Sequence, residues 1–482
     1  MNRPLRRVAL ACLVLFVLLL ANANYVQVVR ARDLQNRPGN ARVILAEYER
    51  ERGAIVVGDK RAALSKETEG DLRYLRRYPQ GELYAQATGF YSFVYGATGI
   101  ERSMNDLLSG TDDRLFVRRV VDTVTGRPPQ GGTVKLTIDP VAQQAAYDAL
   151  DGQNGAVVAL RPRTGEILAM TQFPSYDPNE LSVHDRQAVT QAWQRLNDDE
   201  DDPLENRPIV RRYPPGSLFK VVTAAAALSS DKFKPSTEID APQILDLPQT
   251  TVGLPNYSDS SCGDGRITLT DALRQSCNTA FGTVGLRLGG QALRKQAEAF
   301  GFNSGFTMPM PVTPSVFPEN PNPPQTAQSA IGQFDVAATP LQMAMVAAGV
   351  ANGGVVMKPT LVAEVQAPDL TPLEVAQPTE LGEAVTPQVA AQLTDMMVTV
   401  VEDGTGANAQ LPGIEVAGKT GTAQTGEGVP PHVWFMAFAP ADDPQIAVAV
   451  VVENGGRLGD EASGGAVAAP MAKQVLEAVL RP

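Results

Sequence analysis

Ser217 and Lys220 stand three residues apart in RRYPPGSLFKVVTAAAAL (211–228), just past a Pro-Pro-Gly corner and at the mouth of an apolar run. A Ser hydroxyl is a weak nucleophile until a base removes its proton. The chain has 482 residues and only two histidines, His184 and His432, so Lys is the strong candidate base that remains. On a helix, positions i and i+3 share a face, so Ser217 and Lys220 can point into one cleft. The amine acts as a base only when neutral, which needs a pKa well below its ordinary value of about 10.4. Burial lowers it, and a second cation nearby lowers it further. The helix N-terminus at Ser217 adds a positive end that favours an oxyanion. The plain alternative is a helix-capping Ser with a surface Lys. The bare spacing proves little, because Ser229 and Lys232 repeat it in ALSSDKFKP, where the same helix should end.

Two motifs further along the chain give the pair its weight. RQSCNTAF supplies an S-x-N in Ser276 and Asn278, and AGKTGTAQTG supplies a single K-T-G, Lys419-Thr420-Gly421, before an apolar strand. Another S-x-N, Ser103 to Asn105, precedes the nucleophile and falls in a different region. Taken alone, Ser276 and Asn278 read as helix-end capping, and Lys419 to Thr422 as a turn before a strand. Three short polar trios in this order are the pattern of the penicillin-recognising serine acyl-transferases. They come from a helix start, an inter-helix loop and a sheet edge.

The bulk composition removes other chemistries. The net charge is −12, which argues against nucleic acid as a partner, because phosphate contacts need basic patches. The acidic run NDDEDDP (197–203) reads as a solvated loop. Two His and three Cys are too few for a zinc site, and no phosphate-binding G-x-x-x-x-G-K-[ST] is present. Likeness to the penicillin-recognising acyl-transferases implies that no metal or organic cofactor is needed.

Arg3, Arg6 and Arg7 precede an apolar run from Val8 to Ala21, which orients the rest of the chain out of the cytoplasm. By physics alone a cleaved signal, with Ala21-Asn22-Ala23 as its site, and an uncleaved anchor continuing through Tyr25 to Val29 are equally open. Export places Cys262 and Cys277 in an oxidising compartment, and an even pair there predicts a disulfide rather than two buried thiols.

The positioning elements are legible in outline. TVKLTIDPVAQQAAYDAL (133–150) reads as a strand and a helix with start signals at Thr137, Asp139 and Pro140. GAVVALRPRTGEILAM (155–170) reads as a hairpin. ITLTDALRQS (267–276) reads as a helix capped by Thr270, and TPLQMAMVAAGVAN (339–352) as a buried helix. Residues 303–325 read as a Pro-rich surface loop, and RPPQGG (127–132) as a linker. HVWFMAFAP (432–440) and QIAVAVVVEN (445–454) are strands, and GAVAAPMAKQVLEAVL (465–480) a closing helix. Tyr213, Trp434 and His432 read as packing or strand residues. Strands at both ends with helices between predict an α+β domain whose antiparallel sheet is flanked by helices.

With these motifs in place, the chain resembles the monofunctional class B penicillin-binding proteins, in particular the actinobacterial penicillin-binding protein A type. RGAIV (52–56), GATGIE (96–101) and LTIDPVAQ (136–143) resemble the three N-terminal motifs, and AIGQ (330–333), TPLQMA (339–344) and GTG (404–406) those of the transpeptidase domain. There are two departures: Phe334 replaces the usual Gly after Ile-Gly-Gln, and the first motif lacks its Asp-Arg. The resemblance implies residues 1–30 as an uncleaved cytoplasmic tip and membrane anchor. It implies 31–132 as a mixed, dimerisation-type pedestal, and 133–482 as an extracytoplasmic transpeptidase domain. It implies that Ser217 attacks the D-Ala-D-Ala carbonyl of a peptidoglycan stem peptide, Lys220 takes its proton, Ser276 relays a proton to the leaving D-alanine, and Asn278 holds the peptide amide and Lys220. Lys419, Thr420 and Gly421 form the carboxylate-binding strand, with the N–H groups of Ser217 and Thr422 as oxyanion hole. β-Lactams are the implied inhibitors, a stem-peptide amine the acceptor, and other wall-synthesis proteins the implied partners. The competing readings are a hydrolase of the same superfamily and a penicillin sensor or scaffold. Against the hydrolase, no E-x-x-L-N-like loop lies between Ser276 and Lys419 to aim a base at water. Against the sensor, only one membrane segment is present.

Overall fold

The computed structural model describes residues 2–30, 47–70, 72–126, 128, 130–230, 232–257, 260–426 and 428–481. The expected pedestal start at 31–46, with Arg127 and Pro129 of RPPQGG, lies outside the described residues.

Five strands carry the catalytic half. Their order is Ala417–Ala423, His432–Ala439, Ile446–Val452, Gly155–Leu160 and Ile167–Phe173, and every pair is antiparallel. The strands read as nearly continuous apolar runs because both faces are covered. Alternation along each strand splits them between two cores. Trp434, Met436 and Phe438 join Met343 and Leu341 of the helix Pro340–Ala351 on one side. Val433, Phe435 and Ala437 join Ala142, Ala468 and Ala472 of the helices Pro140–Leu150 and Ala468–Leu480 on the other. The alanines on those helices leave room for close packing against the strands.

A second, six-stranded mixed sheet builds the N-terminal half. It runs Pro372–Val375, Val362–Gln366, Thr133–Leu136, Ile55–Val57, Lys60–Glu67, Tyr74–Arg77. Its only parallel pair is Ile55–Val57 with Thr133–Leu136 among the described strands. The sheet therefore draws strands from both sides of residue 132, and two of them from more than 200 residues further on in the chain.

The α+β class and the antiparallel sheet agree with the sequence reading, as do the hairpin 155–173 and the helix starts at Asp139 and Thr339. Several local expectations differ. The helix near 270 spans Leu269–Arg274 and is capped by Thr268, whose hydroxyl accepts from Asp271 N–H at 3.1 Å. Thr270 instead donates to Pro235 O, because Ile267 and Thr268, expected inside the helix, end a strand, Arg266–Thr268, that hands over directly to the helix at Leu269. Gln130 to Gly132 are not a free linker. Gly131 N–H donates to Glu51 O and Gly132 N–H to Leu107 O, and a Cβ on Gly131 would lie 1.7 Å from Leu108 O. The Pro-rich stretch 303–325 is no simple surface excursion either, since Met308, Met310 and Phe317 are buried in the main core. The closing helix begins at Ala468, three residues later than expected.

The N-terminal helix Asn2–Asn24 is exposed along its length. The span Arg3–Gln27 is the one helix among the described residues that is long and apolar enough to cross a membrane.

Candidate active site

Ser217 lies on a 3₁₀ turn, Gly216–Phe219, that runs straight into the helix Lys220–Ser229. The expected α-helical start is therefore a tighter turn, and with three residues per turn it eclipses i and i+3. Gly216 is required at its head. Its φ is +52°, and a Cβ there would lie 2.7 Å from Thr422 O. Gly332 of AIGQ closes the other side, where its carbonyl accepts from Gly216 N–H at 3.0 Å. The second Ser-x-x-Lys pair falls at the far end of the same helix, and Lys232 is exposed.

The three polar trios meet behind Ser217. Lys220 Nζ donates to Ser276 O at 2.6 Å and to Asn278 Oδ1 at 2.8 Å, and lies 3.3 Å from Ser276 Oγ. Lys419 Nζ reaches the same Ser276 Oγ at 2.9 Å and Thr420 O at 2.9 Å. Both lysines are 0% exposed, and their hydrogen-bond partners are hydroxyl, amide and backbone oxygens rather than carboxylates. Burial pushes the Lys220 amine well below its ordinary range, and the Lys419 charge pushes it further. Burial alone brings Lys419 down to about 7. Two buried amines thus share one hydroxyl, in the spatial order Lys220, Ser276, Lys419.

Ser276 sits at φ +59°, a left-handed conformation that L residues adopt with strain. Asn256, to which the sequence alone assigns no role, braces that turn. Its carbonyl accepts from Asn278 N–H and Thr279 N–H, and its amide donates to Pro242 O and Ser260 O. A lone Asn in a Pro-, Gly- and Ser-rich stretch carries no local signal of this. Thr405 of the G-T-G also gains a role from the structure. Its hydroxyl lies 2.6 Å from that of Thr420 and so orients the lysine strand. Gly421 packs that strand against the nucleophile turn, since a Cβ would meet Pro215 O at 3.0 Å.

A cleft of about 870 Å³ opens over these groups. Ser217, Asn278, Thr422 and Phe334 line it. Phe334, which follows AIGQ, has φ +62° and forms part of the cleft wall.

Cys262 and Cys277 are joined, with Cα atoms 6.2 Å apart. Cys277 is the middle residue of the Ser276–Asn278 trio, so the bond ties that trio to the strip holding Asn256. Closing a loop of 15 residues is worth roughly 3 kcal/mol by chain entropy. The double substitution Cys262→Ser, Cys277→Ser is expected to lower unfolding stability by about that amount. Chemical denaturation checks it, and an unchanged midpoint would show that the bond contributes nothing.

Of the residues expected only to pack, Trp434 is buried core and donates to Pro214 O. Tyr213 does more than pack. Its hydroxyl donates to Glu453 Oε1 at 2.6 Å, on the carboxylate that also holds Arg207 at 2.8 Å. His432 Nδ1 accepts from Asn454 N–H, so both residues fix the chain leaving the sheet at Glu453.

Residues 155–477 match the model of the penicillin binding protein transpeptidase domain, and residues 52–134 that of the penicillin binding protein A dimerisation domain. The chain belongs to the penicillin-binding protein transpeptidases.

Relatives of this family are similar over the full length. The peptidoglycan D,D-transpeptidase PbpA of Mycolicibacterium smegmatis is 48% identical over 100% of this chain and 99% of its own. The protein of that name from Mycobacterium tuberculosis is 46% identical over 100% of this chain and 99% of its own. Among solved structures, the ceftriaxone acyl-enzyme of penicillin-binding protein A from M. tuberculosis superposes with a TM-score of 0.88 at 46% identity, covering 91% of this chain and 100% of that one. The imipenem acyl-enzyme gives a TM-score of 0.86 at 45% identity, covering 91% of this chain and 100% of that one.

Proposed function

We propose that this chain is a peptidoglycan D,D-transpeptidase whose acyl-enzyme forms on Ser217. The observation that carries the reading is the pair of buried lysines bridged by Ser276 Oγ beneath a cleft lined by Ser217 and Thr422.

The donor stem peptide lies along the lysine strand, with its terminal carboxylate against Lys419 and Thr420 at Gly421. Neutral Lys220 removes the Ser217 proton as Oγ attacks the carbonyl between the two terminal D-alanines. The backbone N–H groups of Ser217 and Thr422 hold the oxyanion, a contribution worth roughly 3–4 kcal/mol in acyl transfer. Ser276, set between the two amines, relays a proton to the departing D-alanine nitrogen. Asn278 orients Lys220 and the peptide amide. The amine of a second stem peptide then attacks the ester, forms the cross-link and returns Ser217 as the free alcohol. β-Lactams enter by the same acylation and lack a leaving group that departs.

Residues 1–30 are the tip and single membrane anchor, 31–132 the pedestal and 133–482 the catalytic domain outside the cytoplasm. The basic flank of Arg3, Arg6 and Arg7 and the apolar span Arg3–Gln27 support this orientation. Further wall-synthesis proteins are the expected partners.

Labelling with a fluorescent penicillin, wild type beside Ser217→Ala, tests the reading. An adduct that needs Ser217 and persists for hours is expected. An adduct that decays within seconds would make the chain a hydrolase, and no adduct on folded protein would make it a scaffold.

A further inference from the structure

The pedestal carries an apolar surface that the catalytic reading leaves unused. The helix Phe116–Thr125 (FVRRVVDTVT) places Phe116, Val117, Val120, Val121 and Val124 on one side, and all five are exposed, Val117 by 74% and Val124 by 81%. Arg118, Arg119 and Asp122 occupy the other side. Arg118 pairs with Asp369 at 2.5 Å and Asp122 at 3.8 Å, and Arg119 donates to Asp112 O. Arg114, just before the helix, pairs with Glu374. The polar face and Arg114 therefore lock the helix to Asp369 and to Glu374 of the strand Pro372–Val375, and the apolar face is left exposed.

A short helix with segregated charged and apolar faces and no excess of apolar residues overall is the composition of a segment that lies in a membrane interface. Its place in the chain agrees. Shortly after the helix, Gln130 Nε2 donates to Glu51 Oε2 at 3.0 Å and Gly131 N–H to Glu51 O at 2.9 Å. The described body begins at Glu47, whose carboxylate accepts from the Tyr91 hydroxyl at 2.9 Å beside buried Tyr48, and Glu51 follows in the same segment. The apolar helix is thus at the end of the pedestal that receives the tether. Residues 31–46 are the only sequence between Arg30 and that body, and fully extended they span at most about 60 Å.

We propose that the face Phe116, Val117, Val120, Val121 and Val124 rests in the surface of the bilayer that holds the N-terminal helix, and so fixes the orientation of the pedestal over the membrane. The proposal rests on the anchored orientation of the N-terminal helix. Insertion of the apolar face supplies the attachment, and the tether keeps the helix at high local concentration at that surface.

The full chain, with Cys12→Ser and an environment-sensitive probe on Val117→Cys, is reconstituted into vesicles of phosphatidylcholine and phosphatidylglycerol that contain brominated lipid. A control carries the probe at Val252→Cys, which is 65% exposed on the catalytic domain. Flotation of the vesicles reports the anchor, and quenching reports the helix. Co-flotation with strong quenching at 117, weak quenching at 252, and no dependence on protein density supports the proposal. Adding Val120→Asp and Val124→Asp is expected to reduce the quenching at 117 roughly tenfold. Penicillin labelling and hydrogen-exchange protection at Ile55–Val57 should both be unchanged in that variant, which shows that the catalytic domain and the pedestal fold. Flotation with 117 as weakly quenched as 252 overturns the proposal and leaves the anchor standing. Shielding at 117 that grows with protein density assigns the face to a second copy and also overturns it. Loss of flotation overturns the anchor and the proposal together.

Discussion

Lys220→Arg is expected to give a folded protein that is acylated about 10²–10⁴-fold more slowly than wild type. Arg keeps the charge and most of the length, but its guanidinium does not give up a proton near neutral pH. The substitution therefore separates the hydrogen bonds Lys220 makes from the base role proposed for it. Hydrogen bonds to Ser276 O and Asn278 Oδ1 can be partly kept, whereas acceptance of the Ser217 proton cannot. The second-order rate of fluorescent penicillin labelling, measured beside a thermal melt, checks this. Acylation within a few-fold of wild type would remove Lys220 from the role of base.

The same two amines set the sign of the pH dependence. The pKa of Lys220 is depressed, first by burial and then by Lys419. Its basic form is the neutral one, so acylation should rise with pH through that depressed value. Lys419 is brought to about 7 by burial, and in the proposed mechanism it meets the substrate carboxylate in its charged form. Its contribution is full below that pH and fades above it. The second-order acylation rate by a carboxylate-bearing β-lactam should therefore pass through a maximum close to neutrality. A rate that climbs without limit to pH 10 would show that Lys419 need not be charged.

The catalytic trios are legible in the sequence because each is a short local pattern and their order along the chain adds information that no single one holds. The strands are legible for a similar reason. Runs such as IAVAVVV need no partner to announce burial on both faces. What stays hidden depends on contacts distant in sequence. Val362–Gln366 and Pro372–Val375 pair into the N-terminal sheet, and nothing in VAEVQ names Thr133–Leu136 as its neighbour. Asn256 acts through the backbone of residues more than 20 positions away. The cap at Thr268 escapes the sequence for a local reason, since two threonines two residues apart offer the same hydroxyl and only the strand end chooses between them. The N-terminal motifs look like isolated stretches in the sequence, yet the structure joins the first two directly.

That junction predicts the largest stability effect. Arg52 of RGAIV and Arg76 each place Nε 2.6 Å from one oxygen of Glu101, the last residue of GATGIE. All three side chains are buried, at 5%, 1% and 0% exposure. One carboxylate facing two guanidiniums leaves a positive excess, and the surroundings absorb it. Arg52 Nη2 donates to Glu101 O, Arg52 Nη1 to Asn105 Oδ1, and Arg76 Nη1 to Gly53 O. The Arg52 guanidinium also lies 4.2 Å from the centre of the Tyr91 ring. Burial pushes the Glu101 carboxyl up, but the two guanidiniums and their hydrogen bonds outweigh it and hold it below its ordinary range. A depressed carboxylate contributes stability that is complete above its unfolded pKa and is lost as pH falls through the folded one. The triad is therefore intact at neutral pH and weakens only under strong acid. Glu101→Ala strands two cations in a dry interior and is expected to cost about 3–5 kcal/mol. Glu101→Gln keeps the shape and one acceptor, so its cost should be smaller while still leaving the charges uncompensated. Because Arg52 and Glu101 join the strand Ile55–Val57 to the helix Gly99–Ser103, the loss should fall on the pedestal. Hydrogen exchange should rise at Ile55–Val57 and Lys60–Glu67, while penicillin labelling of Ser217 persists. A uniform loss of protection through both sheets would show instead that the pedestal and the catalytic domain unfold as one unit. Unchanged protection at Ile55–Val57 would show that the buried charges are dispensable to the fold.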